Sequence, residues 1–125
     1  MKTTLDPEDM SLVFKEGIES IDWDNKKHKL GVQFASFHWE NKASVGPTCV
    51  AYDTICRVLK LFIMENSIDF DMKFRQGVCI AEVQTDSKTY HSGHWCSEIE
   101  TLMYTAHWVL NTPEFKEKQN ADTDI

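Results

Sequence analysis

Long apolar runs are missing from this chain: none approaches the roughly 20 residues that a helix needs to cross a bilayer. The amino terminus, Met1-Lys2-Thr3-Thr4-Leu5-Asp6-Pro7-Glu8, has no hydrophobic signal core, so secretion by that route is not expected. Glycine is sparse, and no Gly-rich loop is present to cradle a phosphate. No Gly-x-Ser-x-Gly elbow is present either, which removes the usual hydrolase nucleophile turn. The four cysteines, Cys49, Cys56, Cys79 and Cys96, form no Cys-x-x-Cys pair, and the expected state is reduced and mostly buried. Positive charge is the minority sign, 13 Lys and Arg against 20 Asp and Glu, giving a net charge of −7. That balance opposes non-specific binding to nucleic acid or anionic membranes and leaves open a protein partner with a basic surface.

What is present is organised around Ser67 to Tyr90. Ile68-Asp69-Phe70-Asp71-Met72-Lys73-Phe74-Arg75 alternates apolar and charged at every position, the period of a half-buried strand. Gln76-Gly77 and Asp86-Ser87 read as two-residue breaks, so the stretch is expected to be a three-stranded meander. If both are tight turns, Arg75 faces Val78, Phe74 faces Cys79, Met72 faces Ala81, Phe70 faces Val83, and Val83 faces Tyr90. One face is then apolar. The other carries Asp69, Asp71, Lys73, Arg75, Val78, Ile80, Glu82 and His91, and a slip of one residue would mix the two.

Around the meander, residues 1 to about 26 carry an amphipathic helical pattern (Met10, Leu12, Val13, Phe14, Ile18, Ile21) started by Asp6-Pro7. Lys29 to Trp39 reads as a strand in which Leu30, Val32 and Phe34 alternate before Phe37 and Trp39 switch parity. Either a bulge lies near Ala35-Ser36 or both faces are covered. Pro47 to Glu65 and His94 to Asn111 read as the two main helices, and from about residue 115 the chain reads as a polar, flexible tail. The expectation is one α+β domain over residues 1–125, in the order α-β-α-β-β-β-α. A mostly antiparallel four-stranded sheet would carry its helices mainly on one face.

Candidate chemistry concentrates at Tyr90 to Glu98. His91, His94 and Cys96 are metal-ligand types, with zinc the ion they would suit. The spacing supplies three ligands where a structural site takes four, so Glu98 or another cysteine would have to complete it. The plainer reading is a surface histidine, a helix-start histidine and a tucked cysteine. Cys96 as a nucleophile with His94 as its base fails on geometry, since residues two apart on a helix do not face one another. Asp69 and Asp71 share a face with Lys73 and Arg75, a pattern of surface solubility rather than paired catalytic carboxylates. His107 beside the last helix's apolar stripe reads as a core histidine. The amino-terminal acids Asp6, Glu8, Asp9, Glu16, Glu19, Asp22 and Asp24 read as a solvated face rather than a nucleic-acid mimic.

No catalytic residue set emerges. The functional expectation is a small acidic cytoplasmic protein-binding module, a regulator or inhibitor of phage or mobile-element type, acting on a partner or by self-association. Its surface would be the outer sheet face: Val78 and Ile80, joined by Phe37 and Trp39 and rimmed by Lys73, Arg75, Glu82 and His91. The opposing possibility is that the amino-terminal helix covers this face through Leu12, Val13, Phe14 and Ile18. The alternative function is a metal- or small-ligand-binding domain centred on His91, His94 and Cys96.

Overall fold

Asp6 opens the first helix as the sequence implies. Its carboxylate accepts the Asp9 N–H at 2.8 Å, and Pro7, which has no N–H to satisfy, takes the first turn. The computed structural model describes residues 4–24, 31–41, 46–93, 95 and 97–123. In chain order these form α1 (Pro7–Phe14), β1 (Ile18–Trp23), β2 (Phe34–Trp39), β3 (Thr48–Ala51) and α2 (Tyr52–Glu65). Then follow β4 (Asp69–Arg75), β5 (Val78–Gln84), β6 (Thr89–His91), α3 (Glu98–Leu110) and α4 (Pro113–Thr123).

The class is α+β, but the expected single four-stranded sheet is replaced by two three-stranded antiparallel sheets, β1-β2-β3 and β4-β5-β6. The difference has two local causes. The first helix stops at Phe14 because Lys15 turns left-handed at φ 58°. The Ser11 hydroxyl then accepts the Ile18 N–H at 2.8 Å, redirecting the chain into β1. Ile18 and Ile21, which the helical reading assigned to the amino-terminal helix, are strand residues. Likewise Pro47 does not start α2. Thr48–Ala51 pairs with Phe34–Phe37 as β3, and the helix begins only at Tyr52.

In β2, Ala35 and Phe37 are buried, so the strand's inner parity differs from that of Val32, which lies before it. The irregularity in this sheet sits in β1, between Ile18 and Ser20, rather than at Ala35-Ser36. Lys29 and Leu30, where the expected strand began, lie outside the described residues.

The meander forms with the register read from the sequence: Arg75 opposite Val78, Phe74 opposite Cys79, Met72 opposite Ala81, Phe70 opposite Val83, and Val83 opposite Tyr90. Gln76 and Gly77 both take positive φ, 49° and 79°, the conformation of a type I′ hairpin turn. A glycine suits the second of these positions because it has no Cβ to clash.

One core joins the two sheets. Met10 and Val13 of α1, Ile18, Ala35 and Phe37 of the first sheet, Val83 of the second, and the inner faces of α2 and α3 belong to a single buried cluster. α2 packs mainly on α3, and α3 covers β5. Ser97, not His94, caps α3, accepting the Glu100 N–H at 3.2 Å. The segment read as a polar tail folds as α4, and its Phe115 meets Phe62 edge to face at 5.4 Å. No helix among the described residues is long and apolar enough to cross a membrane.

Candidate functional site

The outer face of β4-β5-β6 is built by strict alternation. Residues that pair across the strands share a face, so Lys73 beside Ile80, Arg75 beside Val78, and Glu82 between Asp71 and His91 all point away from the helices. Val78 and Ile80 are half-buried, while Lys73, Arg75, Glu82 and His91 are exposed. Together with Gln76, the side chains of Arg75, Val78 and Ile80 line a shallow surface depression. Six of the eight sequence-predicted contact residues therefore lie on one continuous surface.

The remaining two do not join it. Phe37 is fully buried, edge to face with Phe14 of α1 at 5.1 Å. Trp39 is half-buried in the other sheet, its ring 5.6 Å from Phe37 and its indole N–H donated to the Thr48 hydroxyl at 2.9 Å. The change of parity that made both residues look exposed reflects a second sheet with its own covering helix. That helix is α1. Because Val13 and Phe14 pack onto the first sheet, the amino-terminal helix is engaged there rather than as a cover over Val78 and Ile80.

Electrostatically the face is mixed. Lys73 Nζ lies 3.8 Å from Asp71 Oδ2, and His91 Nε2 lies 3.7 Å from Glu82 Oε1, with all four side chains about half exposed or more. Exposed pairs of this kind contribute roughly 0–1 kcal/mol, so they orient side chains more than they stabilise the fold. His91 is also held from behind, its Nδ1 accepting the Gly93 N–H at 3.1 Å. This leaves Nε2 as the imidazole nitrogen directed across the sheet.

A bulge fixes the far side of this face. Ser92 donates its N–H to the Ala81 carbonyl at 2.9 Å, and its hydroxyl accepts the Ala81 N–H at 2.9 Å. Gly93 then takes φ 78°, and Trp95 resumes pairing opposite Cys79. The extra residue returns Trp95 to the inner face, where it stacks on Tyr104 at 4.3 Å, as Tyr90 stacks on Trp108 at 5.2 Å. The sequence reading did not anticipate these two aromatic stacks. Tyr104 and Trp108, four apart on α3, were the available signal.

The metal candidates are not brought together within what is described. His94 and Cys96 lie outside the described residues, and His91 uses its nitrogens on Gly93 and towards Glu82. Among the described residues no group of three or more His, Cys, Asp or Glu side chains is placed to hold an ion. His107 is exposed rather than in the core, and His38 sits on the first sheet, 3.1 Å from Asp22 Oδ2. Cys56 and Cys79 are buried free thiols, and Cys49 is an exposed one. Burial pushes the Cys56 thiol up to about 12, the reverse of what a nucleophile requires. No protein-family model, curated protein or solved structure matches the chain significantly.

Proposed function

We propose that this chain is a protein-binding module, a regulator or inhibitor that works by occupying a partner through the outer face of β4-β5-β6. The observation that carries the reading is Val78 and Ile80 side by side on a sheet face whose helices pack on the reverse side. Aliphatic side chains at the centre of a charged rim are the anatomy of a protein contact surface. Lys73, Arg75, Glu82 and His91 supply both signs of charge, which suits a partner surface of mixed polarity better than a polyanion. The net charge of −7 supports the same exclusion of nucleic acid and anionic membrane. Free thiols at Cys49, Cys56 and Cys79 support a reducing, cytoplasmic setting.

The test places a photo-crosslinking side chain at Ile80 and, as control, at exposed Glu40. A discrete adduct formed from the Ile80 position alone, and abolished by Val78→Asp, supports the reading. Adducts of equal yield from both positions, or a yield indifferent to Val78→Asp, would remove it.

A further inference from the structure

β4 is an edge strand: among the described residues it pairs with β5 on one side and with nothing on the other. Its backbone is poised for pairing. Cys79 and Ala81 of β5 spend their backbone groups on Trp95 and Ser92, so those groups point away from β4. Their opposite numbers Phe74 and Met72, and by alternation Phe70, therefore turn N–H and C=O towards the open edge. The side chains of the same three residues are incompletely covered. Phe70 and Met72 are half-buried and Phe74 is 63% exposed. α2, which touches β4, leaves Leu61 and Met64 exposed as well.

Long, exposed edges are normally protected by charge that repels an incoming strand. Here the charges run acidic, acidic, basic, basic: Asp69, Asp71, Lys73, Arg75. That order is self-complementary under a two-fold axis through Met72. Antiparallel pairing about that axis sets Asp69 opposite the second copy's Arg75 and Asp71 opposite its Lys73. The groups aimed at the edge then meet as Phe70 with Phe74 and Met72 with Met72. The charged residues fall at the non-hydrogen-bonded positions, where side chains approach most closely. Sliding by two residues in one direction opposes Asp71 to Asp71, and in the other Lys73 to Lys73. Parallel in-register pairing opposes every like charge.

We propose that two copies of this chain pair antiparallel through β4, in the register centred on Met72, to form one continuous six-stranded sheet. This goes beyond the partner-binding reading: it uses the backbone edge of β4 and shares with the outer-face rim only Lys73 and Arg75. Dimerisation would place two outer faces side by side and so present the contact surface twice.

Sedimentation equilibrium on the full chain, up to about 0.5 mM to catch a small interface, tests the proposal. The wild type is expected to dimerise with concentration. Asp69→Lys/Asp71→Lys makes the row wholly basic, and Lys73→Asp/Arg75→Asp makes it wholly acidic. Each variant alone is expected to lose more than about tenfold in self-affinity, since like charges directly opposite repel. An equimolar mixture of the two is expected to associate as a heterodimer. A wild type that stays monomeric, including because a foreign strand takes the edge, overturns the proposal. So does a dimer that either variant leaves unchanged, or a mixture that fails to associate while both variants keep the wild-type circular dichroism. A monomeric result leaves crosslinking from Ile80 untouched, so the two readings fail separately.

Discussion

The Glu114 carboxylate accepts the backbone N–H of Ser87 at 3.1 Å, fastening the first turn of α4 to the β5–β6 turn. Hydrogen bonds from Ser87, that of its side chain foremost, hold the Glu114 carboxyl below the usual glutamate value. A carboxyl whose folded value is depressed contributes stability above its unfolded value, near about 4.3, and loses it as pH falls through the folded value. Glu114→Gln is therefore expected to lower Tm at neutral pH and to converge on the wild type in strong acid. Thermal melts by circular dichroism across that range provide the check. Curves that stay parallel at every pH would show that the carboxylate is not the linked group.

The bulge at Ser92-Gly93 makes a second prediction. Removing the Ser92 hydroxyl leaves the Ala81 N–H buried without its acceptor, a loss of about 1–3 kcal/mol. Among the described residues beyond its chain neighbours, Gly93→Ala meets no atom within 4 Å, so its expected cost is that of the backbone at φ 78°, about 1–2 kcal/mol. Urea denaturation should show lower midpoints for both variants with unchanged slopes.

Two phenylalanines separate core from edge. Phe37 is fully buried, and Phe37→Ala should cost about 3–5 kcal/mol. Phe74, at 63% exposure, should tolerate alanine within about 0.5 kcal/mol in dilute solution. If the two substitutions cost the same, the assignment of Phe37 to the interior is wrong.

The thiols should divide by reactivity. Cys49 is exposed and should react with a thiol reagent in the native state, whereas Cys56 and Cys79 should wait for unfolding. Because burial raises the Cys56 thiol to about 12, its protonated state persists in the fold while the unfolded thiol ionises near about 8.5. Its contribution is thus present in full below that lower value and declines as pH rises towards the upper one. Cys56→Ala should flatten the alkaline fall in stability, measured as urea midpoints from about pH 8 to 11.

The second sheet was legible because its determinants are local. Alternation from Ile68 to Arg75 sets the face, and Gln76-Gly77 sets the turn, so each partner follows by counting. The first sheet was hidden for equally physical reasons. Ile18 and Ile21 stand three apart, as they would on a helix, and β3 is only four residues behind a Gly-Pro pair that also opens helices. Whether Phe37 faced solvent depended on α1 arriving from elsewhere in the chain, which no local spacing records. The acid-acid-base-base order of β4 was visible all along. Its bearing on self-pairing was not, since only the strand order leaves one side of β4 without a partner strand among the described residues.

One inserted residue between His91 and Trp95 works as a phase shifter: it lets Tyr90 and Trp95, an odd number of places apart, both dock on α3. A deletion at Gly93 would remove the inserted residue and the odd spacing together, leaving the Trp95 indole opposite Cys79 on the α3 side of an unbroken strand that lacks the bulge's bend.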